Sequence, residues 1–353
     1  MSNSIQAVVL GATGYVGGEL LRLISAHPEL QFVAAVSASR AGEEIAATFA
    51  NLVPAYADQR FVGHDDWICK LERGSKLALF SAAPHGASAA LIANALDASA
   101  KKDITVHVVD SSADFRYASQ RDYEAVYGSD HGAPDLIAAF QTGVPEHVSN
   151  ITTAHIGHPG CFATAVLLAT VPLIRSGLSD GGVFVTGITG STGSGRSPQP
   201  GTHHPERHSN LYAYKPLAHR HTPEIAALTQ AATGHETKVH FVPHSGPFAR
   251  GIHATVQART STPVSDAQLR EVYKEAYGNS PFVTLVSGTP RLKSVVASNH
   301  CQIGVAGGED SIVVMSVIDN LVKGAAGGAV QWMNRLWELP ETAGLKSAAP
   351  GWT

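Results

Sequence analysis

The sequence predicts an α/β protein in two parts: a doubly wound domain with a parallel sheet, then an α+β domain with a mixed sheet. Three observations predict it. Apolar runs alternate with helical patterns over the first part of the chain, as in a parallel sheet with helical crossovers. The first run ends in a glycine cluster, Gly11-Ala-Thr-Gly14-Tyr-Val-Gly17. Beyond about Gly157, strand-like runs follow one another with few helices between them, which points to a mixed or antiparallel sheet.

Taken in order, Gln6–Leu10 is an apolar run that stops at glycine and reads as a buried parallel strand. Tyr15–Ala26 has helical periodicity, and Gln31–Ser37 reads as a second strand. Lys76–Ala82 and Ile104–Asp110 read as two more, with a helical segment at Ser88–Ala98 between them. Cys161–Ser176 reads as a helix and Gly182–Gly187 as a strand, followed by a loop rich in Gly, Ser, Pro and His from Thr189 to about Lys215. Thr222 and Pro223 read as the cap and first residue of the next helix. Strands are expected at Lys238–Pro243 and Gly251–Ala258, and a helix with a charged outer face at Val264–Tyr277. Cys301–Ala306 and Ser311–Val317 read as a hairpin around Gly307 and Gly308. Asn320–Leu336 reads as a last helix, expected to return to the first domain.

Composition narrows the function. A chain of 353 residues, 44% hydrophobic and 15% charged, suits a soluble globular protein of two domains. The formal net charge is −4 and no basic stripe appears, which argues against nucleic acid as a partner. The longest apolar stretch, Ala165 to Ile174, is too short to span a bilayer and contains Pro172. No signal peptide is visible at the start. The three cysteines, Cys69, Cys161 and Cys301, are odd in number and far apart. That favours a reducing, cytoplasmic compartment over a disulfide framework.

The glycine cluster has GxxGxxG spacing, not GxGxxG, but the same physics applies. Glycine permits a tight turn, and a helix N-terminus offers N–H groups to a pyrophosphate. Gly11, Thr13, Gly14, Tyr15 and Val16 are therefore the expected cofactor contacts of a Rossmann-type domain. Strand two ends in Ser37-Ala-Ser39-Arg40, with no carboxylate before Glu43. Hydroxyls and a guanidinium suit a 2′-phosphate, so NADP is favoured over NAD. The competing reading makes Arg40 an ordinary solvated residue.

Cys161 stands in His158-Pro-Gly-Cys-Phe-Ala-Thr, where a helical pattern begins. A helix N-terminus favours thiolate, hence a nucleophile; a buried structural cysteine is the alternative. Cys69 and Cys301 read as structural. His219 and His221 lie two apart, so an extended chain would turn both into one cleft. An imidazole there can exchange protons with a thiol. His203, His204 and His208 leave metal binding open as a competitor, but neither clustered cysteines nor HExxH supports it, and no metal is expected.

The order of these motifs resembles the N-acetyl-γ-glutamyl-phosphate reductases and their relatives acting on aminoadipyl or glutamyl phosphate held on a small carrier protein. Both groups belong with the aspartate-semialdehyde dehydrogenases. The resemblance runs nearly end to end. It takes in Ala83-Pro-His-Gly86, Asp110-Ser-Ser-Ala-Asp-Phe-Arg116, PGCFAT, Gly187-Ile-Thr-Gly-Ser-Thr-Gly-Ser-Gly-Arg196, HRHTPEI and Ile318-Asp-Asn-Leu-Val-Lys-Gly-Ala-Ala-Gly327. It implies Cys161 as nucleophile and His219 as acid/base. Arg116 and Ser112 would hold the substrate, Arg116 through its phosphate. Ser191 and Gly193, in the Ser191–Gly195 segment, would line the substrate and nicotinamide site, with His221 on the substrate. Pro84 and Asn320 would lie on the cofactor.

The resemblance implies a dinucleotide-binding domain over 1–157, with 321–353 returning to it, and a catalytic and oligomerisation domain over 158–320. It implies NADPH-dependent reduction of an acyl phosphate to a semialdehyde through a cysteine thioester, by a homodimer or homotetramer. N-acetyl-γ-glutamyl phosphate, in arginine biosynthesis, is taken as the substrate because that pathway is the commoner. The alternative is the substrate carried on a small acidic protein, in lysine or arginine biosynthesis. Two departures bear on that choice. Phe162-Ala163-Thr164 follows the cysteine where arginine-pathway members often have Tyr-Pro-Thr. The loop from His203 to Pro216 looks more like the carrier branch, and its Arg207 and Lys215, with Arg220 beyond, would steer an acidic partner or be solvated. A non-enzymatic NADP-binding redox sensor, needing no reactive thiol, is the distant alternative.

Overall fold

Six strands, β1 (Ile5–Leu10), β2 (Leu30–Val36), β3 (Lys76–Ser81), β4 (Thr105–Asp110), β5 (Phe140–Thr142) and β6 (His155–Gly157), pair in the order β2-β1-β3-β4-β6-β5. Every pairing is parallel. The structure is a computed structural model and describes residues 4–352. The central strands read as continuous apolar runs because a parallel sheet is covered on both faces; Ala7, Val8, Val9, Leu77, Leu79 and Val108 are all fully buried. The helices α1 (Tyr15–Ser25), α2 (Ser88–Ala100) and α3 (Gln120–Tyr127) belong to this unit. So does the last helix, Gly327–Leu336, which packs beside α1 and β4. Asn334 ties it down: its Oδ1 meets His27 Nε2 at 2.8 Å, and its Nδ2 donates to the carbonyls of Glu341 and Ala343. This unit takes the chain up to Thr142, with Asn150–His158 and Ala325–Lys346.

The second unit takes Gly143–Ser149, Pro159–Gly324 and the tail from Ser347. Its helices are α4 (Cys161–Arg175), α5 (His221–Thr233) and α6 (Asp266–Tyr277). Its strands are β7 (Val183–Thr189), β8 (Tyr212–Ala213), β9 (Val239–Ser245), β10 (Ile252–Arg259), β11 (Val283–Leu285), β12 (Cys301–Gly307) and β13 (Ser311–Ile318). They form a mixed sheet in the order β11-β12-β13-β10-β7-β9-β8. Only β11–β12 and β7–β9 are parallel; the other pairs are antiparallel.

Helix α4 is buried almost all round, from Phe162 to Ile174. It contains Pro172, which has no N–H for the carbonyl of Leu168 and ordinarily breaks a helix. Here the Tyr277 hydroxyl of α6 donates to that carbonyl at 2.8 Å, and Tyr273 caps the next one, on Ala169. His147 Nε2 in turn meets the Tyr277 hydroxyl at 2.7 Å. The break is thereby filled from a neighbouring helix, and α4 continues through it to Arg175.

Some boundaries differ from expectation. Helix α5 begins at His221, so Thr222 and Pro223 lie inside its first turn, where proline is tolerated because its missing N–H has no partner anyway. The last helix does not run unbroken from Asn320. A π-helical turn, Val322–Ala326, precedes Gly327–Leu336, because the Asp319 carboxylate captures the N–H groups of Leu321 and Val322. Short elements such as β5, β6 and β11 carry too few residues for periodicity to register.

Candidate active site

In the first unit, Gly11 has φ +67°, and a Cβ there would sit 2.5 Å from the backbone nitrogen of Ala83. Only glycine lets β1 turn this close to the end of β3. Gly17 packs as tightly on the backbone of Ala12. Gly14 differs: it is the N-cap of α1, and a Cβ there would meet nothing nearer than a carbonyl at 4.0 Å. No side chain caps this helix, and an N-terminus of that kind offers N–H groups to a pyrophosphate. Thr13 and Val16 are half-buried, and Tyr15 is exposed.

At the end of β2, Ser37 is buried and its hydroxyl lies 3.4 Å from that of Ser39. Arg40 is exposed and pairs with Glu43 at 2.9 Å. A cavity of about 180 Å³ opens in the same unit, lined by Leu10, His64, Asp65, Trp67, Leu91 and Asn94 among others. The His64 Nδ1 is buried without a hydrogen-bond partner. An apolar floor with a few polar groups suits a flat heterocycle. Sequence reasoning missed these residues, because a pocket between a loop and a helix has no spacing signature.

The loops after β3 and β4 are fixed by two buried carboxylates. Asp110 accepts from Ser88 and Ser112, and burial raises its pKa against the pull of those bonds. Asp114 accepts the N–H groups of Gly86 and Ala89, so it sets the turn that begins at the exposed Pro84. The Ser112 hydroxyl is thus turned to Asp110. Arg116 donates from Nε to the His158 carbonyl at 2.9 Å and from Nη2 to that of Ser111 at 3.0 Å.

In the second unit, Cys161 is the first residue of α4, half-buried, with Gly160 as N-cap. The Glu224 carboxylate, one turn along α5 from His221, accepts the Gly160 N–H at 2.7 Å. Any side chain at Gly160 would collide with the His221 ring. Behind the thiol, a Cβ on Gly324 of the π-helical turn would meet Cys161 Cβ at 2.8 Å. That turn is anchored by a buried ion pair, Lys323 with Glu146 at 2.5 Å. Glu224 and Lys323 are the residues that sequence reasoning missed; the one-turn spacing of His221 and Glu224 was an available signal.

His219 and His221 do come together, with ring centroids 4.7 Å apart, both edge-on to Phe162. The reason is not extended backbone, as expected, but the helix start: the His221 N–H donates to His219 Nδ1 at 3.1 Å. Burial, then the charges of Arg220 and Lys215, lowers the His219 pKa to about 4. The imidazole is therefore neutral, with its proton on Nε2. Tyr214 lies 5.7 Å from His219, ring to ring, and burial and the Cys161 charge raise its pKa. Ser191 is half-buried and Gly193 exposed, in the turn Ser191–Ser194 after β7. Asn320 holds that turn: it donates to Thr192 Oγ1 at 3.0 Å and accepts the Gly251 N–H at 2.7 Å.

Cys69 is exposed, not structural as its neighbours suggested, and Cys301 is buried, with its thiol pushed up to about 12 by desolvation. Among the described residues no group of three or more His, Cys, Asp or Glu is arranged to hold a metal, and no helix is long and apolar enough to cross a membrane.

A glycine-turn dinucleotide fold followed by a mixed-sheet domain that presents a helix-terminal cysteine defines the semialdehyde dehydrogenase class of oxidoreductases. Residues 6–148 match the semialdehyde dehydrogenase NAD binding domain, and residues 161–320 the semialdehyde dehydrogenase dimerisation domain. The N-acetyl-gamma-glutamyl-phosphate reductase of Methanopyrus kandleri is 39% identical over 98% of this chain and 98% of its own. That of Pseudomonas aeruginosa is 38% identical over 98% and 99%. The chain belongs to the N-acetyl-gamma-glutamyl-phosphate reductase family. The fold is also that of aspartate semialdehyde dehydrogenase II from Vibrio cholerae (TM-score 0.69, 17% identity, 95% of this chain and 98% of the other). The Candida albicans enzyme, solved with NADP, has a TM-score of 0.65 at 15% identity, with 95% and 98% covered.

Proposed function

We propose that this chain reduces N-acetyl-γ-glutamyl phosphate to the semialdehyde with NADPH, through a thioester on Cys161. The observation that carries the reading is the seat of that thiol: first residue of α4, half-buried, between the Gly160 cap and Gly324. The N–H groups of a helix's first turn favour the thiolate and the oxyanion formed after attack. The Cys161 sulfur bonds to the acyl carbon as the bond from that carbon to the phosphate oxygen breaks. NADPH supplies the hydride that reduces the thioester. The resulting oxyanion reforms a carbonyl and expels the Cys161 thiolate.

With Nδ1 engaged by the His221 N–H, His219 acts as a donor through Nε2, toward the sulfur anion or the acyl oxygen. Arg116 is assigned to the substrate phosphate. Ser37, Ser39 and Arg40 are assigned to the 2′-phosphate, and the cavity beside Leu10 to the adenine. The chain is taken to act in the cytoplasm as a homodimer or homotetramer. Support for the oligomer comes from the dimerisation-domain match.

The test runs the reaction backwards, with NADP, inorganic phosphate and the semialdehyde. Cys161→Ser abolishes NADPH formation while NADP binding survives; full turnover in that variant rules the mechanism out. Comparing the N-acetyl substrate with the carrier-linked one decides between the two branches.

A further inference from the structure

Arg207 sits at the end of a short helix, His204–Arg207, in the loop before β8, and the residue is only 7% exposed. Its Nη1 donates to two backbone carbonyls, those of Asn210 and Ser245. Its Nε and Nη2 are buried with no hydrogen-bond partner, and no carboxylate of the described residues pairs with it. An unpaired buried guanidinium is strongly disfavoured unless an anion completes it. Nε and Nη2 share one edge of the guanidinium, the edge that grips a carboxylate with two parallel bonds.

The position of Arg207 says which anion. The chain after it runs alongside β9: Tyr212 pairs with Ser245, the Tyr214 N–H donates to the Pro243 carbonyl, and the Leu217 N–H to that of Phe241. His219 then stacks edge-on to Phe241 at 5.4 Å. Arg207 is therefore at the Ser245 end of β9 and His219 at the Phe241 end. Four strand residues separate them by roughly 13 Å, at a rise of ~3.3 Å each. A five-carbon acyl chain, with its reacting carbon near His219 and a carboxylate at its far end, fills that span once contacts at both ends are added.

We propose that Arg207 binds the free α-carboxylate of the substrate through Nε and Nη2, and so sets its length and polarity. This rests on the acyl-phosphate reading above. Both the N-acetyl and the carrier-linked substrate keep this carboxylate. Its entry requires the loop to move. That loop holds Ser209, Lys215 and Leu217 at positive φ, three of the six such non-glycine residues among those described, a strained state that binding can select.

The test compares wild type, Arg207→Met and Arg207→Lys in the reverse reaction. In Arg207→Met, KM for the semialdehyde rises ~10- to 100-fold while kcat changes less than ~3-fold. A semialdehyde whose carboxylate is a primary amide loses the same factor with wild type, and Arg207→Met does not distinguish the two. Arg207→Lys, which keeps the charge but not the fork, falls between them. If Arg207→Met still discriminates acid from amide as wild type does, the assignment is wrong. A second readout needs no turnover. N-acetylglutamate raises the Tm of wild type but not of Arg207→Met, and inorganic phosphate alone does not reproduce the effect. Equal stabilisation of both proteins, or of neither, overturns the carboxylate site. Because this arm involves no acyl transfer, it decides the site even if the Cys161→Ser experiment defeats the reductase reading.

Discussion

His219 is held neutral by its surroundings. Burial is the largest cause of its lowered pKa, and Arg220 and Lys215 add to it in that order. In the unfolded chain the ring titrates near its ordinary 6.5, and in the folded chain at about 4. The folded pKa is the lower one, so the stability this site contributes is complete above pH 6.5. It is lost as the pH falls toward 4, because the unfolded chain takes up the proton first. The bond from the His221 N–H to Nδ1 acts in the same direction, since a protonated Nδ1 cannot accept it. An NMR titration of the His219 ring, assigned by its loss in His219→Asn, therefore gives a midpoint near 4. Arg220→Met moves the midpoint upward, and Lys215→Met does so by less. Burial keeps both below 6.5. A midpoint near 6.5 in the unaltered protein contradicts the packing described here.

Helix α4, which begins at Cys161, continues past Pro172 with its orphaned carbonyl satisfied from α6. Replacing Tyr277 by Phe removes the hydroxyl from the Leu168 carbonyl and leaves that acceptor buried and unpaired, at a cost of ~1–3 kcal/mol. Pro172→Ala restores a backbone N–H for the same carbonyl. The double variant Pro172→Ala/Tyr277→Phe should recover most of the loss, measured by urea denaturation as a coupling between the two sites. Strict additivity of the two changes would show that Leu168 does not link them. This is also where sequence reading reaches its limit. The glycine turn, the parallel strands and the start of α4 were legible, because each depends on residues a few positions apart. Gly11, Gly14 and Cys161 are local signals of that kind. The Tyr277 hydroxyl on Leu168, Glu224 on the Gly160 N–H and Lys323 on Glu146 join residues 64 to 177 positions apart. Arg207 was legible as a positive charge near the site, but only packing reveals which of its donors lack partners. The exposure of Cys69 escaped for the same reason: its helical surroundings form a single turn, Ile68–Lys70, on the surface.

The mixed sheet of the second unit has two unlike faces. Val183, Val185, Ala254, Val256, Ile312 and Val314 point to one side and are buried in the core with α4. The residues between them point the other way and stay partly open. Register lines them up in rows across three strands: Phe184 with Gln257 and Val313, and Thr186 with Thr255 and Met315. Phe184 is 52% exposed and stacks on His240 from β9. An antiparallel sheet tolerates water on one face, but this face carries large apolar side chains among its polar ones, a composition typical of a surface that meets protein. It lies within 161–320, the span that matches the dimerisation domain. A second copy of the same chain is the partner this suggests, since a self-complementary patch closes as a two-fold dimer. Thr255 is at the middle of the rows, so a long charged side chain there would be desolvated on pairing and opposed by its own symmetry mate. Thr255→Arg should sediment as a smaller species than the unaltered protein in sedimentation equilibrium while leaving the far-UV CD spectrum unchanged, because the side chain faces away from the core. Glu275→Arg, an exposed change on α6, serves as the control for added charge. If Thr255→Arg sediments like the unaltered protein, the open face is not where copies meet.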